Sequence, residues 1–294
     1  MTIIEFRTNV IECILSRNIS FKVEECNVTK NNGVILHGII IKRENTNIFP
    51  TIYLESFFEE YKDGESIESI SDRIIRIDER QQLGDRFDAD FYDDFSAIKP
   101  RLLAKIINTE KNIELLKGVP SKSFLDLSIV VYCDVSDFCN MQASILVKNE
   151  HLKLWGRNAE EIVDIAICNT KKQGYEIADV VDALEAIGVP VNNLRNFDKG
   201  KMFVLRRKKN DNGAVFLIYD DILDEFINKN QNISGIYIIP SSIHEVLLIP
   251  DGDIDDSLCL NSMINTVNDE SLSEEEILCG HAYHYSIESG YRIV

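Results

Sequence analysis

Residues 240–246 hold the sharpest group of side chains that could do chemistry, because Ser242, His244 and Glu245 stand close together there. These are the residue types of a nucleophile, a base and an acid that orients the base. On an extended chain, however, adjacent residues such as His244 and Glu245 point to opposite faces. No G-x-S-x-G elbow surrounds either serine of the segment. The segment therefore predicts either a capped turn between two strands or a catalytic turn.

A second cluster precedes the only tryptophan of the chain, Trp155. Asn149 and His151 belong to it, and His151 could serve as a base or a ligand. No second histidine lies at helical metal spacing from His151, and a tryptophan on a helix face is typical of a core residue. An enzyme of unrecognised type would have to bring this cluster and the 240–246 turn together in one pocket.

Two further patterns resemble metal sites and then depart from them. His281 and His284 have H-x-x-H spacing beside Cys279, but residues three apart in a strand face opposite sides. Residues 251–256 begin like a calcium loop, but its sixth position is Asp256 rather than glycine. The chain contains no phosphate-binding loop, dinucleotide fingerprint or H-E-x-x-H motif. We therefore expect no metal and no cofactor.

The segments that must position these residues alternate between helical and strand patterns. Apolar residues recur at helical spacing from Ile3, from Ile67 and from Ala159, and Asn158 with Glu161 has the spacing of a capping box. Further helices are predicted over 177–187, which Gly188 would end, and over 273–279. Strands are predicted over 21–26, 34–41, 127–133, 143–147, 202–206, 214–219, 235–239 and 246–249. The pattern predicts an α+β fold with mixed or antiparallel sheets from hairpins and packed helices.

Two segments, 143–155 and 214–226, match each other without a gap. In each, a run of small and branched residues precedes a polar pair, and a leucine and an aromatic residue follow three positions apart. The match predicts a duplicated ββα unit, and chance is the alternative. Periodicity is lost over 79–94, where we expect a long loop or a domain junction. The predicted organisation is an N-terminal α+β region, 1–95, and a C-terminal α+β domain, 96–294, with the repeat.

The charge of the chain restricts its partners. The formal net charge is −18, and no Lys or Arg occurs from Gln231 through Tyr291. Such a chain repels nucleic acid, because phosphate binding requires Lys and Arg to displace counterions. One basic island, residues 199–209, is typical of a strand with a solvated charged end. We therefore expect a basic protein partner and no direct contact with nucleic acid.

Cysteine usage and hydropathy indicate the compartment. Seven cysteines are scattered without a C-x-x-C pair, which favours reduced thiols over disulfides or a zinc site. The longest apolar runs are far shorter than the roughly 20 residues of a membrane-spanning helix. The first residues lack a basic leader ahead of the apolar ones. These features predict a cytoplasmic protein without a membrane segment.

Several short motifs occur in order along the chain. They are N-G-V-x-L-H-G at 32–38, P-T-I-Y-L at 50–54, F-E-E-Y at 58–61, F-L-D-L at 124–127, N-E-H-L-x-L-W-G at 149–156 and P-S-S-I-H-E-V at 240–246. Together they resemble an uncharacterised family of gut Firmicutes that is known only as a domain of unknown function. The resemblance covers nearly the whole chain and is weakest over 173–194. It implies one co-inherited architecture and cytoplasmic bacterial life, and it brings no activity, cofactor or catalytic residue.

Two functions are compatible with these observations. The first is a non-enzymatic interaction or regulatory protein whose acidic surface binds a basic protein, as an inhibitor that mimics nucleic-acid charge would. The second is an enzyme of unrecognised type that uses Ser242, His244 and Glu245 with His151 or Asn149. Salt-dependent binding of a basic partner distinguishes the first function, and convergence of the five side chains in one pocket distinguishes the second.

Overall fold

The computed structural model describes residues 1–17, 22–42, 49–80, 89–138, 142–186, 199–208, 211–230, 233–240, 242–253 and 258–294. These residues form α-helices and three antiparallel sheets, which confirms the predicted α+β fold. Within these ranges, no helix has both the length and the apolarity needed to cross a membrane.

The elements follow one another in a mixed order along the chain. The helices are α1 (Ile3–Leu15), α2 (Glu55–Lys62), α3 (Ile67–Arg80), α4 (Ala89–Asp93), α5 (Phe95–Ile98), α6 (Ile113–Leu116), α7 (Asn149–Trp155), α8 (Ala159–Lys172), α9 (Val180–Ala186), α10 (Asp220–Lys229) and α11 (Leu258–Ser271). The strands are β1 (Lys22–Thr29), β2 (Ile35–Lys42), β3 (Thr51–Tyr53), β4 (Leu102–Asn108), β5 (Ser121–Phe124), β6 (Leu127–Asp134), β7 (Ser144–Leu146), β8 (Tyr175–Asp179), β9 (Phe203–Arg207), β10 (Gly235–Ile239), β11 (Glu245–Pro250), β12 (Tyr283–Ser286) and β13 (Gly290–Ile293).

Contacts between residues divide the chain into two compact units. The first unit contains Met1–Leu102 and Tyr132–Arg157, and the second contains Leu103–Val131 and Asn158–Val294. The units therefore interleave along the chain, and β6 begins in the second unit and ends in the first. The division into folding domains of residues 1–95 and 96–294 stays a prediction.

The first unit is built around α1, a three-stranded sheet and α3. The Thr2 hydroxyl accepts a hydrogen bond from the Glu5 backbone N–H, and the Glu5 carboxylate accepts one from the Thr2 backbone N–H. This capping box begins α1 at the predicted position. Phe6, Val10 and Ile14 lie on one side of α1 and are fully buried against β2 and α3. Helical spacing thus creates the core of this unit.

The strands predicted over 21–26 and 34–41 form as β1 and β2, and they pair as a hairpin. The two strands pair antiparallel along their whole length, and β3 pairs with β2 on its other side. Asn32 and Gly33 between the strands have φ angles of 58° and 75°. Asparagine and glycine tolerate this left-handed conformation best, so the residue types fit the turn.

The second unit contains a six-stranded antiparallel sheet, in the order β13-β12-β10-β11-β9-β8. Helix α11 lies on one face of this sheet, where Leu260 and Ile264 pack against Ile239, Ile249 and Ala282. Leu260 and Ile264 are four residues apart and share one side of the helix. The opposite side of α11 therefore faces away from the sheet.

The predicted strand over 214–219 is wrong. Gly213–Ile218 forms a 3-10 helix, and every residue from Ala214 through Leu217 is fully buried. The backbone N–H groups of Gly213 and Ala214 donate to the carbonyl oxygens of His244 and Ile243. A short run that is apolar at every position has no period that separates strand from helix. Strand β9, the expected hairpin partner of 214–219, pairs instead with β8 and β11.

The predicted ββα repeat is retained only in its helices. Residues 143–155 form β7 followed by α7, whereas residues 214–226 form the 3-10 helix followed by α10. One predicted helix boundary and one predicted helix are also wrong. Ile177 lies in β8, and α9 begins only at Val180, while residues 274–276 form a turn instead of a helix. Ile187 and Gly188, the predicted end of that first helix, lie outside the described residues.

Candidate functional site

The 240–246 turn has the hydrogen bonds of a structural cap. The Ser242 hydroxyl oxygen accepts a hydrogen bond of 3.0 Å from the His244 backbone N–H. The Ser242 backbone N–H donates to the Glu245 carbonyl oxygen at 3.4 Å. Ser242 is buried, and Glu245 is already the first residue of β11. These bonds close a tight turn at the start of the strand.

The His244 imidazole interacts with residues outside the predicted cluster. Its Nδ1 accepts a hydrogen bond of 3.3 Å from the Asn212 backbone N–H, which assigns the ring proton to Nε2. Nε2 lies 3.5 Å from a carboxylate oxygen of Glu276. Hydrogen bonds from Ser273, together with the nearby His244, lower the pKa of Glu276. The acid beside His244 is therefore Glu276 rather than Glu245, and no sequence spacing signals this pair.

His151 and Asn149 belong to the first unit, at the start of α7. The Nδ1 atom of His151 is 3.1 Å from the Lys148 backbone nitrogen and 3.1 Å from the Tyr92 hydroxyl. Trp155 donates its indole N–H to the Tyr92 carbonyl oxygen at 2.8 Å. Burial lowers the pKa of His151. The cluster thus joins α4 to α7, and it gives Trp155 the core position that the sequence predicts.

The five predicted catalytic residues are divided between the two units. Ser242, His244 and Glu245 lie in the second unit, whereas Asn149 and His151 lie in the first. A groove of about 330 Å³ runs between β8 and α10 in the second unit. Its walls are as polar as they are apolar, and two of its lining residues, Tyr175 and Lys229, both contact Glu225. None of the five residues lines this groove.

The two histidines of the H-x-x-H pair have different partners, and only His284 lies in β12, because His281 precedes the strand. His281 Nε2 lies 2.9 Å from an Asp126 carboxylate oxygen, and Tyr283 donates to the other oxygen of Asp126 at 2.7 Å. His284 instead lies 3.6 Å from Asp251. Within the described part of the chain, no group of three His, Cys, Asp or Glu side chains could hold a metal ion. Asp255 and Asp256 lie outside that part.

The outer side of α11 combines exposed apolar and acidic side chains. Met263 is 54% exposed and Val267 is 44% exposed, although both are apolar. Asp269 and Glu270 follow in the last turn of the helix and are also exposed. Within the described residues, neither carboxylate has an ion-pair partner, and the last turn of α11 contains no basic residue. The exposed surface formed by Met263, Val267, Asp269 and Glu270 is hereafter the α11 outer face; Met263, Val267 and Glu270 follow one another along α11 beside its buried side, and Asp269 lies further round the last turn.

The basic island is engaged within the second unit itself. Lys199 forms an ion pair with Asp182, and Arg206 lies 3.2 Å from Glu176 across β8 and β9. Arg207 is 1% exposed and lies 3.2 Å from Asp211. These cations therefore neutralise nearby carboxylates of β8, α9 and the β9 loop. Among the residues that the structure describes, no cation compensates the carboxylates of the α11 outer face.

Fold and composition together define a strongly acidic α+β protein. The chain belongs to the family of unknown function DUF5688, whose match extends over residues 4–287. This match confirms the predicted resemblance to an uncharacterised family over nearly the whole chain. No curated protein and no solved structure matches the chain.

Proposed function

We propose that this protein is a non-enzymatic interaction protein that binds a basic protein partner through the acidic surface of its second unit. The observation that carries the proposal is the contrast between the engaged basic island and the uncompensated α11 outer face. Lys199, Arg206 and Arg207 have carboxylate partners of their own, whereas Asp269 and Glu270 have none within the described residues. A surface of this kind attracts cations from outside the molecule.

The long-range field of the chain supports the same kind of partner. A net charge of −18 repels other anions and accelerates encounters with cationic proteins. Nucleic acid carries the same sign of charge, so the protein competes with nucleic acid for a basic surface rather than binding the polymer. An inhibitor or regulator of a nucleic-acid-binding protein acts in this way. The partner therefore carries a cluster of Lys and Arg side chains that contact phosphates when nucleic acid is bound.

Bonding at the 240–246 turn favours binding over catalysis as the function. Ser242 uses its hydroxyl to cap the turn, and the His244 ring faces Glu276 and the Asn212 backbone. A nucleophile requires a base within hydrogen-bond reach of its own hydroxyl. We therefore assign the turn a structural role, and the proposed function includes no reaction at this turn.

Affinity capture from cells of the source organism tests the proposed function. The tagged full-length chain is used as bait at low salt, and each captured protein is then purified and mixed with the bait again. We expect at least one basic protein to bind directly, to be released by salt and to be displaced by added DNA. Binding that is insensitive to salt, or capture of acidic proteins alone, contradicts the proposal.

A further inference from the structure

The geometry points to a basic amphipathic helix as the segment of the partner that docks on the α11 outer face. The inference rests on the proposed function and adds the site and the chemistry of the occupant. Met263 and Val267 are one helical turn apart, and Glu270 follows at the next turn on the same side. Met263, Val267 and Glu270 thus form one stripe, which is apolar in the middle of α11 and acidic at its C-terminal end, and Asp269 adds a second carboxylate to the last turn.

The apolar part of the stripe favours a partner that packs against it over a partner that is attracted by charge alone. Met263 and Val267 expose about half of their surface, whereas Leu260 and Ile264 on the inner side of α11 are buried. A flexible cation in solution gains nothing from this apolar surface. A partner helix with apolar side chains at the same spacing covers both residues at once, and helices pack through such rows. The unbranched methionine side chain adapts to partners of different shape.

The acidic end of the stripe requires a positive charge on the partner segment. Asp269 and Glu270 lie in the last turn of α11, where the helix macrodipole is also negative. Both contributions therefore add to one negative potential at this end. Lys or Arg side chains beside the apolar row of the partner helix lie against this end of α11. The carboxylates and the helix macrodipole both attract these side chains.

Charge also disfavours a second copy of this chain as the occupant. A second copy would bring its own Asp269 and Glu270 to a surface that is already acidic, and like charges repel across an interface. Three cations of the basic island, Lys199, Arg206 and Arg207, are already paired with carboxylates within the second unit. A separate basic chain remains as the occupant that satisfies both parts of the stripe.

Designed peptides take the place of the partner helix in a test of the inference. The first is a helical peptide of leucine and lysine, with leucines at i, i+4 and i+7 so that one face is apolar. The second has the same composition in shuffled order and lacks that face. Fluorescence anisotropy measures the affinity of each peptide for the full-length protein. We expect the patterned peptide to bind at least about tenfold more tightly than the shuffled one.

Two substitutions locate the binding on α11. Met263→Asn should lower the affinity for the patterned peptide about tenfold and leave the affinity for the shuffled peptide unchanged. Ile113→Asn is the matched control, because Ile113 is also 54% exposed and lies on α6. The double variant Asp269→Asn/Glu270→Gln should reduce affinity and its salt dependence by more than Asp63→Asn/Glu65→Gln, which removes the same two charges from the first unit.

The outcomes separate the two proposals. Equal affinity for the patterned and shuffled peptides, or equal loss in Met263→Asn and Ile113→Asn, overturns the docking of a helix on α11. The proposed function still stands if both peptides then bind and salt releases them. If neither peptide binds at low salt, the acidic surface does not recruit cations and both proposals fail.

Discussion

Gly213 occupies a position where no side chain fits. A Cβ atom there would lie 2.4 Å from the Arg207 nitrogen and 2.5 Å from the His244 carbonyl oxygen, which are both backbone atoms. Backbone atoms of a sheet and a buried 3-10 helix cannot move aside without breaking hydrogen bonds. Gly213→Ala should therefore lower the free energy of unfolding by about 3 kcal/mol. Urea denaturation measures the change.

Gly252→Ala is the matched control for this substitution. A Cβ atom at Gly252 meets no atom within 4 Å. The control variant should unfold at nearly the same urea concentration as the wild type. If Gly213→Ala is as stable as Gly252→Ala, the close approach of the 3-10 helix to β9 and to the 240–246 turn is wrong.

Two buried thiols make the folded protein less stable at alkaline pH. Burial raises the pKa of Cys279 to about 11 and the pKa of Cys133 to about 12. Above pH 9, the unfolded chain releases these protons before the folded chain does, so the unfolded state is favoured as the pH rises. The stabilisation is complete below pH 9 and is lost towards pH 12. We expect the free energy of unfolding to fall by about 3 kcal/mol between pH 8 and pH 10.

Thiol alkylation at pH 8 checks the origin of this loss. Cys168 is exposed, whereas Cys133 and Cys279 are buried and protonated. Iodoacetamide should therefore modify Cys168 much faster than the two buried thiols, as mass spectrometry of digested samples can show. Equal rates at the three positions would disprove the burial on which the pH dependence rests.

At the residue scale, sequence predicts local bonds better than distant ones. The spacing of Asn158 and Glu161 predicts a helix cap, and the Asn158 side chain does accept from the Glu161 N–H at 2.9 Å. The composition of the 240–246 turn suggests a triad, but the acid near His244 is Glu276. Neighbours along the chain share a fixed geometry, whereas His244 and Glu276 meet only through tertiary folding.

At the element scale, the last turn of α11 is less stable than its sequence could make it. Asp269 and Glu270 place negative charge at the negative end of the helix macrodipole. Asp269→Asn/Glu270→Gln should therefore raise the free energy of unfolding by about 0.5–1 kcal/mol at low salt. The change corresponds to an increase in Tm of about 1–2 °C. Thermal denaturation followed by circular dichroism measures it.

Glu160→Gln provides the opposite control. Glu160 lies in the first turn of α8, where a negative charge stabilises the helix. Its removal should lower Tm slightly, although it also reduces the net negative charge. A lower Tm in the α11 double variant would contradict the view that α11 retains these carboxylates at a cost in stability.

Strong periodicity decides which elements can be predicted from sequence. Helices α1, α3 and α8 bury residues on one side only, so their apolar residues repeat at 3.6-residue spacing. The segment 214–219 is buried on all sides and has no such repeat, and it forms a 3-10 helix instead of a strand. Asp179 marks the boundary between β8 and α9, and its carboxylate accepts a hydrogen bond from the Val181 N–H, but Ile177 on the strand side also fits the helical spacing of the apolar residues that follow.

At the scale of the whole molecule, composition predicts charge but not its distribution in space. The sequence reveals the net charge of −18 and the absence of Lys and Arg from 231 through 291. Ion pairs between the basic island and the carboxylates of β8, α9 and the β9 loop appear only in the structure. The interleaving of the two units is equally invisible, because contacts rather than periodicity assign residues 132–157 to the first unit.

The central claim is that the acidic surface of the second unit binds a basic protein. The most direct measurement is the Kd of the captured basic partner for the wild type and for Asp269→Asn/Glu270→Gln, at about 0.05 M and about 0.3 M NaCl. We predict that the wild type loses at least about tenfold in affinity at the higher salt, and that the double variant binds more weakly at low salt and loses less. Equal affinity of the two proteins at both salt concentrations would contradict the claim.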